Sequence, residues 1–154
     1  PFLSEITTSA LVNRDSAVPE LSADQLADTA VTAGTARAVW VPNRNGVFVN
    51  IAAAYAEVLD CDAIVCGFNA EEAATFPDNS PAFIDAANAF LGLSTQRRPR
   101  VVSPTAHLTK VEIVRLGRQI AAPLELVWSC YLGGAEPCGR CESCLRLRRA
   151  LDLA

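Results

Sequence analysis

An α/β fold with a parallel sheet is what this sequence predicts, and three observations predict it. Short apolar runs, "AVWV" at 38–41, "DAIVCG" at 62–67 and "RVVSP" at 100–104, alternate with longer segments of helical period. The chain has 154 residues and is 51% apolar, which suits one buried α/β interior. Four cysteines then crowd into "CYLGGAEPCGRCESC", 130–144, as a compact appendix to that fold. The division that follows is 1–127 for the α/β part and 128–154 for a cysteine-rich segment ending in a helix.

Each element has a local reason. "SADQLADTAV" reads as a short helix with Ser22 as N-cap and Gln25 three residues on, ended by Gly34. "AVWV" reads as a short buried strand stopped by Pro42. In the next segment Val47, Phe48, Ile51, Tyr55, Val58 and Leu59 recur at helical spacing, with Asn43 or Asn45 able to cap the start. "DAIVCG" is a continuous apolar run closed by Gly67, the pattern of a parallel strand buried on both faces. "FNAEEAATFPDNS" has no period and reads as a loop. "SPAFIDAANAFLGL" has Ser80 as N-cap, Pro81 at the first helical position and Gly92 near its end. After the strand "RVVSP", Thr109 and Glu112 make a capping box for "LTKVEIVRLGRQIAAP", which Pro123 closes. "ESCLRLRRALDL" forms the last helix.

Net charge is −4, so no global basic field of the kind that drives nucleic-acid binding is present. Arg140, Arg146, Arg148 and Arg149 read as a solvated face of the last helix. No apolar run reaches the roughly 18 residues of a membrane span. "PFLSEITTSA" lacks the basic and apolar regions of a signal peptide. A cytoplasmic protein with reduced thiols is expected.

The cysteine spacing is C-x7-C-x2-C-x2-C, formed by Cys130, Cys138, Cys141 and Cys144. Thiolates at two-residue gaps in a glycine-bearing turn can reach one tetrahedral ion, and four of them fill every zinc position. A closed, structural zinc site is the expectation. An iron–sulfur cluster, a disulfide pair and buried free thiols are the alternatives. Cys61 and Cys66 read as small core residues, and His107 as a polar residue at a strand–helix junction.

Three segments, "VPNRNGVFVNIAAAYAE", "TAHLTKVEIVRLG" and "WSCYLGGAEPCGRCESCLRLRRAL", together with "SALVNRDSAVPE", resemble the 7-cyano-7-deazaguanine synthase family. The resemblance covers nearly the whole chain and is most specific in the cysteine segment. It implies the PP-loop ATP pyrophosphatase (adenine nucleotide alpha hydrolase-like) fold. It implies an enzyme of queuosine or archaeosine precursor synthesis, a carbon–nitrogen ligase that converts 7-carboxy-7-deazaguanine and ammonia to the nitrile. ATP with Mg2+ is the implied cosubstrate and Zn2+ on the four cysteines the implied structural metal. A homodimer without membrane or direct nucleic-acid partners is also implied. The family's Ser-Gly-Gly-x-Asp-Ser loop is not in this sequence, so the fold is expected to be incomplete at its N-terminus and the isolated chain inactive.

Ligands of open parallel sheets sit at the carboxyl ends of strands. That places "PNRN", the loop after Gly67 and "SPTAHLTK" on the ligand side. Arg44, Asn45 and Lys110 are the candidates for binding a phosphate or carboxylate, because helix starts and cations favour anions. Glu71, Glu72 and Asp78 are candidates for the donor edge of a guanine-like base, with Phe68 or Phe76 stacking on it. No catalytic residue is assigned. The family's Pro-Asp-Cys-Arg run is Pro77-Asp78-Asn79-Ser80 here, so no role of that arginine carries over. The rival readings are a zinc-stabilised RNA-binding module, or another adenylating PP-loop enzyme such as a tRNA thiolase with Cys66 as its nucleophile.

Overall fold

A computed structural model describes residues 20–22, 24–27 and 29–154. The stretch 9–19 that contributed to the family resemblance lies outside them. The chain forms two compact units, one built on Val41–His107, the other on residues 20–40 with 108–154.

In the first unit, helix α2 (Arg44–Val58) leads into strand β1 (Ala63–Val65). A single helical turn, α3 (Ala70–Ala73), and a 3-10 turn (Pro77–Asn79) follow. Helix α4 (Pro81–Ser94) then crosses to strand β2 (Arg100–Val102). The strands pair in parallel with Ile64 opposite Val101. The expected helix cap of α4 is present: Phe83 N–H donates to Ser80 Oγ at 3.1 Å, with Pro81 in the first turn. Gly92 lies in the last turn of the helix, near its end as expected.

The core of this unit is Val49, Ala53, Leu91 and Val101, with Ile64, Cys66, Phe83, Ile84 and Ala87 against it. This corrects the expected inward face of α2. Asn45, Val49, Ala53 and Ala56 are buried, whereas Phe48, Tyr55, Val58 and Leu59 are exposed. The alanines let the helix lie close to the sheet, and the stripe of large side chains, one step around the helix, faces away. The sheet differs from expectation too. Ile64 and Val101 face the core, but Ala63 and Val65 are exposed, so β1 is buried on one face only among the described residues.

The edge of β2 is closed by a side chain. Arg100 N–H bonds to Asp62 and Cys66 N–H to Val102, so the backbone of Val101 points away from β1. Asn88 of α4 meets it there: Val101 N–H donates to Asn88 Oδ1 at 2.8 Å, and Asn88 Nδ2 donates to the Val101 carbonyl at 3.1 Å. One amide thus replaces a neighbouring strand.

In the second unit, a 3-10 turn (Asp24–Ala27) precedes α1 (Thr29–Val39). Gln25 Oε1 accepts from Ser22 N–H and Oγ–H at 2.9 and 3.2 Å, and the Ser22 carbonyl accepts from Gln25 N–H at 3.2 Å. The helix runs through Gly34 and takes in 38–39, which corrects the strand expected at "AVWV". A four-residue apolar run does not distinguish strand from helix, and the alanine-rich stretch before it continues the helix. Helix α5 (Lys110–Gln119) carries the full capping box between Thr109 and Glu112. A third 3-10 turn (Leu124–Leu126) covers it so closely that a Cβ on Gly117 would lie 2.9 Å from Leu124. Helix α6 (Glu142–Leu153) packs on α5, whose Arg115 and Arg118 donate to the Leu153 and Leu151 carbonyls at 2.9 and 3.0 Å. Among the described residues no helix is long and apolar enough to cross a membrane.

Candidate functional site

The first unit presents the strand ends. Asn43 stands at the N-cap of α2 with a left-handed backbone (φ 55°) and makes no side-chain cap bond. Its Oδ1 occupies the space beside Gly46, where a Cβ would come within 2.0 Å. The cap comes instead from 33 residues away. Asn45 N–H donates to Asp78 Oδ2 at 3.4 Å, and Asn45 Nδ2 donates to the Asp78 carbonyl at 3.1 Å. Asn79 Nδ2 donates to Asp78 Oδ1 at 3.1 Å. Asn45 and Asp78 are each 8% exposed, and Arg44 between Asn43 and Asn45 is exposed.

The segment read as a loop after β1 is more ordered than its sequence suggests. Asn69 Oδ1 accepts from Glu72 N–H at 3.0 Å, which caps α3 and places Glu71 and Glu72 in its only turn. Phe76 sits at the start of the following 3-10 turn, half-buried. Phe68 is not available for base stacking. It is buried edge-on against Phe83, ring centroids 6.0 Å apart. Two hydroxyls missed in the sequence fix this strand end: Ser103 Oγ and Thr105 Oγ1 both donate to the Phe68 carbonyl, at 3.1 and 2.7 Å. Two hydroxyls spaced by one residue just past a strand were the available signal. Cys66 packs against the core, and burial pushes its thiol above the usual range, which suits a structural residue and not a nucleophile.

The second unit holds Lys110, half-buried at the first position of α5, and the cysteine knuckle. The four sulfurs of Cys130, Cys138, Cys141 and Cys144 all lie within 4.8 Å of one another. Cys141 is fully buried, Cys130 and Cys144 nearly so, and Cys138 half-buried. The chain reverses between them with Gly139 at φ 72°, a left-handed conformation that costs glycine nothing. Cys141 then serves as N-cap of α6, and Cys144 follows in the helix's first turn. Backbone donors already point at the sulfurs: Cys138 N–H to Cys130 Sγ at 3.4 Å and Cys141 N–H to Cys138 Sγ at 3.3 Å. Donation from the Arg140 and Cys141 backbones lowers the Cys138 thiol to about 6. Burial raises Cys144 to about 11.

This donor set fits a metal. A tetrahedral ion with four bonds of about 2.3 Å to sulfur needs sulfurs about 3.8 Å apart. The Cys138–Cys144 separation is 4.0 Å, and all six cysteines are free thiols. The arginines read as a solvated face are partly committed to the knuckle. Arg148 donates to the Gly139 carbonyl at 3.3 Å, Arg140 pairs with Glu20 at 3.1 Å, and Glu20 bridges Cys141 in an isolated antiparallel pairing. Arg146 and Glu142 form a half-buried pair one turn apart on α6, at 2.6 Å.

The chain is similar to known proteins along its whole length. The family model described as "Queuosine biosynthesis protein QueC" matches residues 1–154. The 7-cyano-7-deazaguanine synthase of Pelotomaculum thermopropionicum is 54% identical over 154 residues, all of this chain and 70% of the relative. That of Desulforudis audaxviator is 57% identical over 150 residues, 97% of this chain and 68% of the relative. The synthase of Bdellovibrio bacteriovorus is 52% identical over 154 residues, all of this chain and 67% of the relative.

Proposed function

Because the chain belongs to the QueC family of queuosine biosynthesis proteins, we propose that it serves the ATP-dependent conversion of 7-carboxy-7-deazaguanine and ammonia to 7-cyano-7-deazaguanine. The match of the whole chain to 70% and 67% of the length of two enzymes of that name carries the reading. The reaction needs two activations. Adenylation of the carboxylate, with loss of pyrophosphate, lets ammonia displace AMP and form the amide. A second adenylation makes the amide oxygen a leaving group, and loss of AMP and protons leaves the nitrile. The fold of this reading is that of the PP-loop ATP pyrophosphatases, with residues 1–127 as part of the nucleotide-binding domain and 128–154 as its zinc-binding segment. The protein acts as a cytoplasmic ligase with ATP–Mg2+ as cosubstrate, and as a homodimer.

The residues divide by chemistry. Arg44 offers a permanent planar cation at a helix start, suited to a phosphate or carboxylate. Asn45 holds that helix start, and Lys110 offers a point charge at another. Glu71, Glu72 and Phe76 are the groups for the base: two carboxylates to accept from a guanine-like edge and a ring to stack. Cys130, Cys138, Cys141 and Cys144 hold zinc, which when bound closes the knuckle and leaves no position for substrate. The test is direct. Protein expressed from its complete reading frame, given 7-carboxy-7-deazaguanine, ammonia and ATP, should release pyrophosphate and form the nitrile, followed by mass spectrometry. Soluble, folded protein that forms no nitrile would refute the reading.

A further inference from the structure

We propose that Asn45 and Asp78 are a positioning pair, a clasp that holds the loop after β1 against the start of α2 so that Arg44 and the α3 carboxylates meet one ligand. Asp78 on this view is not a reader of the base. The role rests on the synthase reading above.

Three features carry it. The pair is mutual and buried. The side chain of Asn45 is spent on the Asp78 carbonyl, and the Asp78 carboxylate on Asn45 N–H and Asn79. Each residue is 8% exposed, and Asn45 Nδ2 and both Asp78 carboxylate oxygens already have partners. The loop is pinned at its other end as well, where Ser103 and Thr105 hold the Phe68 carbonyl. Arg44 is left exposed between a left-handed Asn43 and the clasped Asn45. Backbone in a sparsely populated conformation persists where its surroundings over-determine it, and such places favour pre-organised sites. On its C-terminal side Arg44 adjoins the buried contacts of Asn45 with Asp78, while Arg44 itself is exposed.

The chemistry separates positioning from base reading. The clasp asks Asp78 for one acceptor toward Asn45 N–H and an intact main-chain carbonyl, and it does not need a charge. Asp78→Asn keeps both, and Asn79 can turn its amide to accept from the new Nδ2. A carboxylate that accepts two donors from a base cannot be replaced by an amide. In protein from the complete reading frame, Asp78→Asn should hold kcat/KM within about threefold of wild type. Asp78→Ala and Asn45→Ala should each lose roughly tenfold or more, and the double alanine variant should be no worse than the worse single one. Asn45→Ser, which keeps a small polar side chain at the buried position, replaces Asn45→Ala if that variant does not fold. Asp78→Asn as damaging as Asp78→Ala, with Asn45→Ala near wild type, would assign Asp78 to the substrate and overturn the clasp. Alanine variants that only melt earlier, with kcat/KM unchanged, would make the contact structural and overturn it too. Wild-type protein that forms no nitrile would remove the synthase reading and this role with it.

Discussion

Replacing Asn88 by alanine tests how the sheet of the first unit ends. Val101 is 1% exposed and sits at the centre of the core, and its N–H and C=O both terminate on the Asn88 amide. Truncation at Asn88 leaves one buried donor and one buried acceptor without partners. Each costs about 1–3 kcal/mol when water cannot reach it. Helix α4 leaves some room for water at this half-buried position, so the expected loss is roughly 2–5 kcal/mol for the pair. Urea unfolding reads this as a lower midpoint at constant slope. Asn88→Asp should be destabilising at neutral pH, because a carboxylate accepts from Val101 N–H but repels its carbonyl. Acidification that protonates the new carboxyl restores a donor and should recover part of the loss. Asn88→Ala within about 0.5 kcal/mol of wild type would mean that the edge is satisfied otherwise and that the reasoning fails.

Thr109→Ala removes half of the α5 capping box and should cost about 1 kcal/mol, measured by the same unfolding curves. The Thr109 backbone N–H also lowers the Glu112 carboxyl below its ordinary value, so this contribution is present at neutral pH and fades as pH falls through that lowered value. Arg44→Lys keeps charge but loses the planar fork. A loss of roughly 2 kcal/mol in transition-state stabilisation with an unchanged melting temperature supports anion binding, whereas wild-type kinetics in Arg44→Lys and Arg44→Ala make Arg44 an ordinary surface charge. Glu20 is tied to the knuckle through Cys141 and Arg140, so chelation of the metal should raise protease cleavage near residue 20. Cleavage there that is indifferent to chelator would uncouple the two.

Signals confined to a few residues were the legible ones. Ser80 with Pro81, and Thr109 with Glu112, each name a helix start by the hydrogen bonds those side chains can make, and both are present as expected. The cysteine spacing brought four sulfurs together because it needs only a tight turn and a helix start. Readings that depend on what lies opposite were less secure. The sequence of α2 offers a large apolar stripe and a small one, and only the approach of Leu91 and Val101 selects the small one. "AVWV" has the composition of a strand, but no residue in it reports that the helix before it continues. The clasp between Asn45 and Asp78 spans 33 residues and the Asn88 bridge 13, distances over which a sequence carries no hydrogen-bond signal.

Metal analysis of the purified 154-residue chain, alongside its Cys141→Ser variant, tests the account most directly. On the proposed reading, the backbone donors aimed at sulfur and the pinned Gly139 carbonyl serve to hold one ion. Wild-type chain should carry about one equivalent of zinc, and Cys141→Ser, which removes the fully buried ligand, should carry far less and melt earlier. Iron with a visible charge-transfer band, or a folded chain with no metal and an unchanged melting temperature in the variant, would contradict it.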